Sequence, residues 1–127
     1  MSKKDISTRE DVILMVNSFY ELVQKNEELN RVFNDVAQLD WDAHLPTMYD
    51  FWETIIFKNA TYKGNPMRVH KQLHGMERLT SSMFKDWLLI FNLNMDNLFE
   101  GDNAREAKIR ALSIATMIQM KTVYAQE

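Results

Sequence analysis

The chain has 127 residues, and its 18 acidic and 15 basic side chains give a formal charge of −3, which argues against nucleic acid or an anionic membrane as the main partner. It has no cysteine, which excludes disulfides, thiolate metal sites, iron–sulfur clusters and cysteine nucleophiles. It has only three glycines and two prolines, where an average chain carries roughly 12% of the two combined. Many-stranded sheets consume such turn residues, so the expected fold is all-α, as a single domain over residues 1–127. The start, Met1-Ser2-Lys3-Lys4-Asp5, is polar, and the longest apolar run, Trp87 to Phe91, is too short to span a bilayer. The expected location is therefore the cytoplasm.

The periodicity is helical nearly throughout. Val12, Val16, Phe19, Tyr20 and Val23 share one face of a first helix, which Ser7 or Thr8 can cap. Leu29, Val32 and Phe33 mark a short second helix or turn. A third segment from about Asp42 to Phe57 carries His44, Met48, Trp52 and Ile55 on one stripe. Its cap is expected at Asp42 or Ala43, with Pro46 held in the first turn, where a missing N–H costs little.

Lys58 to Gly64 reads as a loop, and Gly64-Asn65-Pro66 as a turn that launches a short helix. Met67, His70 and His74 share a face of that helix, and Gly75 is its stop. Ser81 or Ser82 is the expected cap of the next segment, with Phe84, Trp87, Leu88, Phe91, Met95 and Leu98 in a stripe. Gly101 and Asp102 break it. Ala104, Ala107, Ala111, Ile114 and Ile118 then form a stripe of mostly small residues that lets a neighbouring helix approach closely.

Histidine is scarce, so imidazole chemistry has few candidates. His44 and His70 each interrupt or head an apolar face. Either one alone reads more simply as a side chain satisfied by a neighbour, because binding sites are few per protein. His70 and His74 sit at i, i+4, but the intervening residues lack the Glu of a zinc-protease helix, and no carboxylate supplies a third ligand. The aromatic set of Phe19, Tyr20, Phe33, Phe51, Trp52, Phe84, Trp87 and Phe91 is by itself a helical core. Tyr20 and Trp87 add something, since each carries a hydrogen that needs an acceptor when buried.

Taken in order, these residues resemble the group III truncated haemoglobins over nearly the whole chain. Phe19-Tyr20 resembles the family's aromatic pair, and Phe33 its haem-stacking phenylalanine. Trp41-Asp42-Ala43-His44-Leu45-Pro46-Thr47-Met48-Tyr49-Asp50-Phe51-Trp52 is similar to a W-x-x-H-L-P-x-M-x-x-F-W block. Tyr62 to His70 resembles Y-x-G-x-P-M-x-x-H, and Phe84 to Phe91 resembles F-x-x-W-L-x-x-F. Lys108 to Met120 fits the last helix, and the stretch from His70 to Phe84 is longer than the family's.

The resemblance implies a two-over-two helical sandwich around haem b. In it His70 is the proximal iron ligand, and Tyr20, His44, Met48 and Trp87 form the distal pocket. Phe33, Trp52, Met67, Leu73, Phe91 and Met117 pack the haem, while Lys63, Arg68 and Lys71 meet its propionates. The implied function is reversible binding of O2, NO and CO at a five-coordinate ferrous iron. NO dioxygenase-like or peroxidase-like chemistry would need an unidentified external reductase. Two other readings stay open: a haem-based sensor or interaction module, and a haem-free helical bundle binding metal through His70 and His74.

Overall fold

The computed structural model describes residues 3–36, 40–58 and 79–122. Among these it is helical, with no strand: α1 (Arg9–Val23), α2 (Glu27–Asn30), a wide π-helical turn (Arg31–Val36), α3 (Trp41–Phe57), α4 (Ser81–Leu98) and α5 (Asp102–Thr122). The expected short helix bearing Met67, His70 and His74 lies outside the described residues, as does the Asn59–Gly64 part of the loop.

Each helix start has a chemical cause. Thr8 caps α1 through a reciprocal box: its hydroxyl accepts from the Asp11 amide at 3.2 Å, and the Asp11 carboxylate accepts from the Thr8 amide at 3.2 Å. Asp40 caps α3, accepting from the Asp42 amide at 3.1 Å, so this helix begins earlier than the sequence suggests. His44 still falls in its first turn, but Pro46 lies inside the helix, where it denies the Asp42 carbonyl a donor. The α4 cap is Thr80, whose hydroxyl accepts from the Met83 amide at 3.2 Å, and not Ser81 or Ser82. That start puts Leu79 just before the cap and Phe84 in the fourth helical position. Both are buried, as a hydrophobic staple requires. At the far end of α3, Lys58 adopts the left-handed conformation that stops the helix.

The last helix is capped from a distance. Asp5 accepts from the backbone amides of Asn103 and Ala104, each at 2.9 Å, and from its neighbour Ile6 at 2.9 Å. The Asn103 side chain donates to the Ile6 carbonyl at 2.7 Å, and the Glu100 amide to the Lys4 carbonyl at 3.0 Å. Gly101, with φ +147°, makes the turn, and a Cβ there would come within 2.5 Å of the Asp5 carboxyl carbon.

Two helix pairs form the body. α1 packs on α3 and α4, and α4 packs on α5, which also touches α3. The core between them includes Val12, Met15, Val16, Phe19, Trp52, Phe91 and Met95. Ala104, Ala107, Ala111 and Ala115 are buried along α5, so the helix approaches its partners on a stripe of small residues. Within the stripes expected of α3 and α5, Ile56 and Ala115 take the buried places and Ile55 and Ile114 are half-buried. Buried Asn94 ties α4 to α1 by donating to the Met15 carbonyl at 3.0 Å. No described helix is long and apolar enough to cross a membrane.

Candidate ligand-binding site

Tyr20 sits on the last turn of α1 and points into the corner where α1 meets α3. It is only 7% exposed. His44, in the first turn of α3, places its Nε2 3.2 Å from the Tyr20 hydroxyl. Burial pushes the phenol well above its ordinary range, so it stays protonated and can donate through neutral pH.

Aromatic rings enclose this pair. The Tyr20 ring meets Phe19, Phe33, Trp41 and His44 edge-on, at centroid distances of 5.0, 6.1, 5.3 and 5.3 Å. Trp41 also lies 5.7 Å from the His44 ring. The Trp41 indole N–H donates to the Asn34 side-chain oxygen at 2.7 Å, and the Asn34 amide nitrogen donates to Asn30. The spacing of α1 and α3 is set by polar ties outside the rings. Tyr49 donates to Asn17 at 2.5 Å, and Arg9 pairs with Asp50 at 3.0 Å and with Glu53.

Phe19 links this corner to a second aromatic group. Its ring is 5.4 Å from Trp87 and 5.4 Å from Phe91. Phe91 stacks on Trp87 at 5.7 Å and on Trp52 at 4.9 Å. Trp87 is half-buried, and its indole N–H makes no hydrogen bond among the described residues.

The sequence candidates thus divide. Tyr20, His44, Phe33 and Trp87 belong to one connected aromatic system, with half-buried Met48 on the same helix as His44. Trp52 and Phe91 stand behind it, closed in the core. Met117, expected against the haem, is 54% exposed. The buried stripe of α5 runs through Ala107, Ala111, Ala115 and Ile118, which turns Met117 outward. His70, His74, Met67, Leu73, Lys63, Arg68 and Lys71 lie outside the described residues. Among the described residues no three His, Cys, Asp or Glu gather as metal ligands.

Trp41 and Asn34 join the site although neither is among the residues the sequence singles out for it. Trp41 precedes His44 by three residues, a spacing that puts both on one helix face, and that was the available signal. Nothing in the sequence marks Asn34, because its partner belongs to another helix.

Comparison with known proteins agrees with this architecture. The profile of the family described as bacterial-like globin matches residues 4–121. A group 3 truncated haemoglobin of Campylobacter jejuni is 23% identical over 120 residues, covering 92% of each chain. The crystal structure of group III truncated haemoglobin from Campylobacter jejuni superposes with a TM-score of 0.82 at 23% identity, covering 94% of both chains. The fold is therefore that of a globin, and the family implies a haem cofactor and small diatomic ligands. With this match spanning nearly its whole length, the chain belongs to the bacterial-like globin family.

Proposed function

We propose that the protein binds O2 reversibly, and NO and CO as well, at haem b held through His70, with electrons supplied by a separate reductase. The reading is carried by the Tyr20–His44 pair, a buried donor system enclosed by aromatic rings at the corner of α1 and α3. The donors are of the kind such a group needs. Tyr20 and Trp87 join an apolar ring to a single polar hydrogen, so they can line a haem pocket and still address a polar ligand. The cysteine-free chain fits haem held without thioether links, and a reducing cytoplasm.

Bound haem would supply a ferrous iron that takes a diatomic gas and places partial negative charge on it. The protein's part is to offer hydrogens to that charge. A phenol has one hydrogen, so the imidazole decides how it is used. When His44 Nε2 carries the proton, it donates to the Tyr20 oxygen and leaves the Tyr20 hydrogen free for a ligand. When Nε2 is bare, it takes that hydrogen for itself. The Nδ1-protonated tautomer therefore withdraws the Tyr20 donor, and the Nε2-protonated one presents it. Trp87 brings a second N–H without a competing acceptor among the described residues. Phe33 and Met48 supply apolar walls that keep water from competing for these donors.

The test is the absorption spectrum of the purified protein in its ferric, ferrous and CO-bound forms. An intense Soret band is expected, and His70→Ala should abolish the five-coordinate ferrous spectrum. A protein that refuses haem, or a His70→Ala variant with an unchanged spectrum, would refute the reading.

A further inference from the structure

We propose that Asn34 is a positioning residue for the Tyr20–His44 pair, acting through the indole of Trp41. The inference rests on the gas-binding reading above and adds the element that holds its donors in place.

The indole ring faces both members of the pair, with centroids 5.3 Å from Tyr20 and 5.7 Å from His44. Flat edge contacts of this kind resist sliding only weakly, so something must fix the rotation of the Trp41 ring. The one directional bond it makes among the described residues is Nε1–H to Asn34 Oδ1, at 2.7 Å. The Asn34 amide is fixed in turn: its nitrogen donates to the Asn30 side-chain oxygen, which leaves only its own oxygen to face the indole. Asn34 lies in the wide turn over Arg31–Val36, and such widened turns frequently occur at functional places in helices. Asn30, Asn34 and Trp41 therefore form a relay of two hydrogen bonds. It runs from the end of α2 to the start of α3 and ends against the donor pair. Without it the indole is free to turn, and the wall that sets the 3.2 Å approach of Tyr20 to His44 loosens.

The experiment compares Asn34→Ala, Trp41→Phe and the double variant in the haem-loaded protein, with carbon monoxide as the probe. The C–O infrared stretch reports hydrogen bonding at the ligand directly, and stability does not move it. Both single variants should shift or split this band and raise O2 dissociation about fivefold, the equivalent of one ordinary hydrogen bond. Because both cut the same relay, the double variant should go no further than either one. Asn34→Asp keeps an acceptor for the indole and should remain within about twofold of the parent. Should Asn34→Ala fail to fold, Trp41→Phe and Asn34→Asp still decide the matter. Bands and rates unchanged in Trp41→Phe, or additive effects in the double variant, overturn the proposal. Tyr20→Phe measured alongside separates the two levels. If it too leaves O2 dissociation unchanged, the gas-binding reading falls. If it speeds dissociation while the relay variants do not, only the role of Asn34 is lost.

Discussion

Two polar groups, Asp5 and Tyr20, are each enclosed by segments remote in sequence, and they are treated in opposite ways. At the junction of α4 and α5, the Asp5 carboxylate accepts three backbone amides, so both of its oxygens are bonded. Burial works to raise its pKa, but the amides of Asn103, Ala104 and Ile6 outweigh that and hold it below the ordinary carboxylate value. At the corner of α1 and α3, the Tyr20 hydroxyl is buried, and its one hydrogen-bond partner among the described residues is His44. A satisfied polar group adds stability. A buried one with capacity left over costs stability and persists where something else is to be bound. The first group is a fastener, and the second is the donor on which the proposed gas binding rests.

Removing each group should therefore damage a different property. Tyr20→Phe has the largest expected effect. It should raise O2 dissociation by one to two decades, the worth of a hydrogen bond to a charged partner, about 1.5–3 kcal/mol. The urea midpoint should barely move, since ring packing is kept; a collapse of stability would erase the contrast. Gly101→Ala attacks the fastener. Its positive φ and the 2.5 Å approach to Asp5 leave no room for a methyl group, so a loss of about 2–3 kcal/mol is expected in urea unfolding. Asp5→Ala leaves the Asn103 and Ala104 amides uncapped, at about 1–2 kcal/mol. Neither variant should alter the O2 dissociation rate.

The two regions also differ in how far the sequence announced them. Spacing placed Val12, Val16, Phe19, Tyr20 and Val23 on one face, and the structure buries all five. His44 in the first turn of α3 followed from the position of Pro46, although the helix starts earlier than expected. Such features are local, and a helix repeat makes them legible. Asp5 was not legible as a cap, because it serves a helix nearly a hundred residues away. Asn34 is bonded by Trp41 of the next helix, and Asn94 reaches a backbone carbonyl of another helix. A single sequence does not record which remote backbone a polar side chain will find.

The smallest effects lie in the dependence of stability on pH, and they separate the two regions once more. Asp11 sits in the first turn of α1 and pairs with Lys4, the residue before Asp5. Burial pushes its pKa up, but Lys4 and the amides of Ser7 and Thr8 overcome this and bring it down to about 2. A carboxylate depressed in the folded state stabilises above its unfolded pKa of about 4, and that contribution fades as pH falls from about 4 toward 2. Because Lys4 is 60% exposed, solvent screening leaves about 1 kcal/mol for the group, with Asp5 acting in the same direction. Tyr20 has the opposite sign. Its folded pKa is raised, so its contribution is complete below the unfolded phenol value of about 10 and declines as pH rises beyond it. Urea midpoints across pH should therefore form a plateau with two independent edges. Asp11→Asn should make the acid edge shallower, with Asp5 still contributing, and leave the alkaline one, and Tyr20→Phe should flatten the alkaline edge and leave the acid one. If either variant moved both edges, the N-terminal carboxylates and the Tyr20 corner would be one coupled unit and not two.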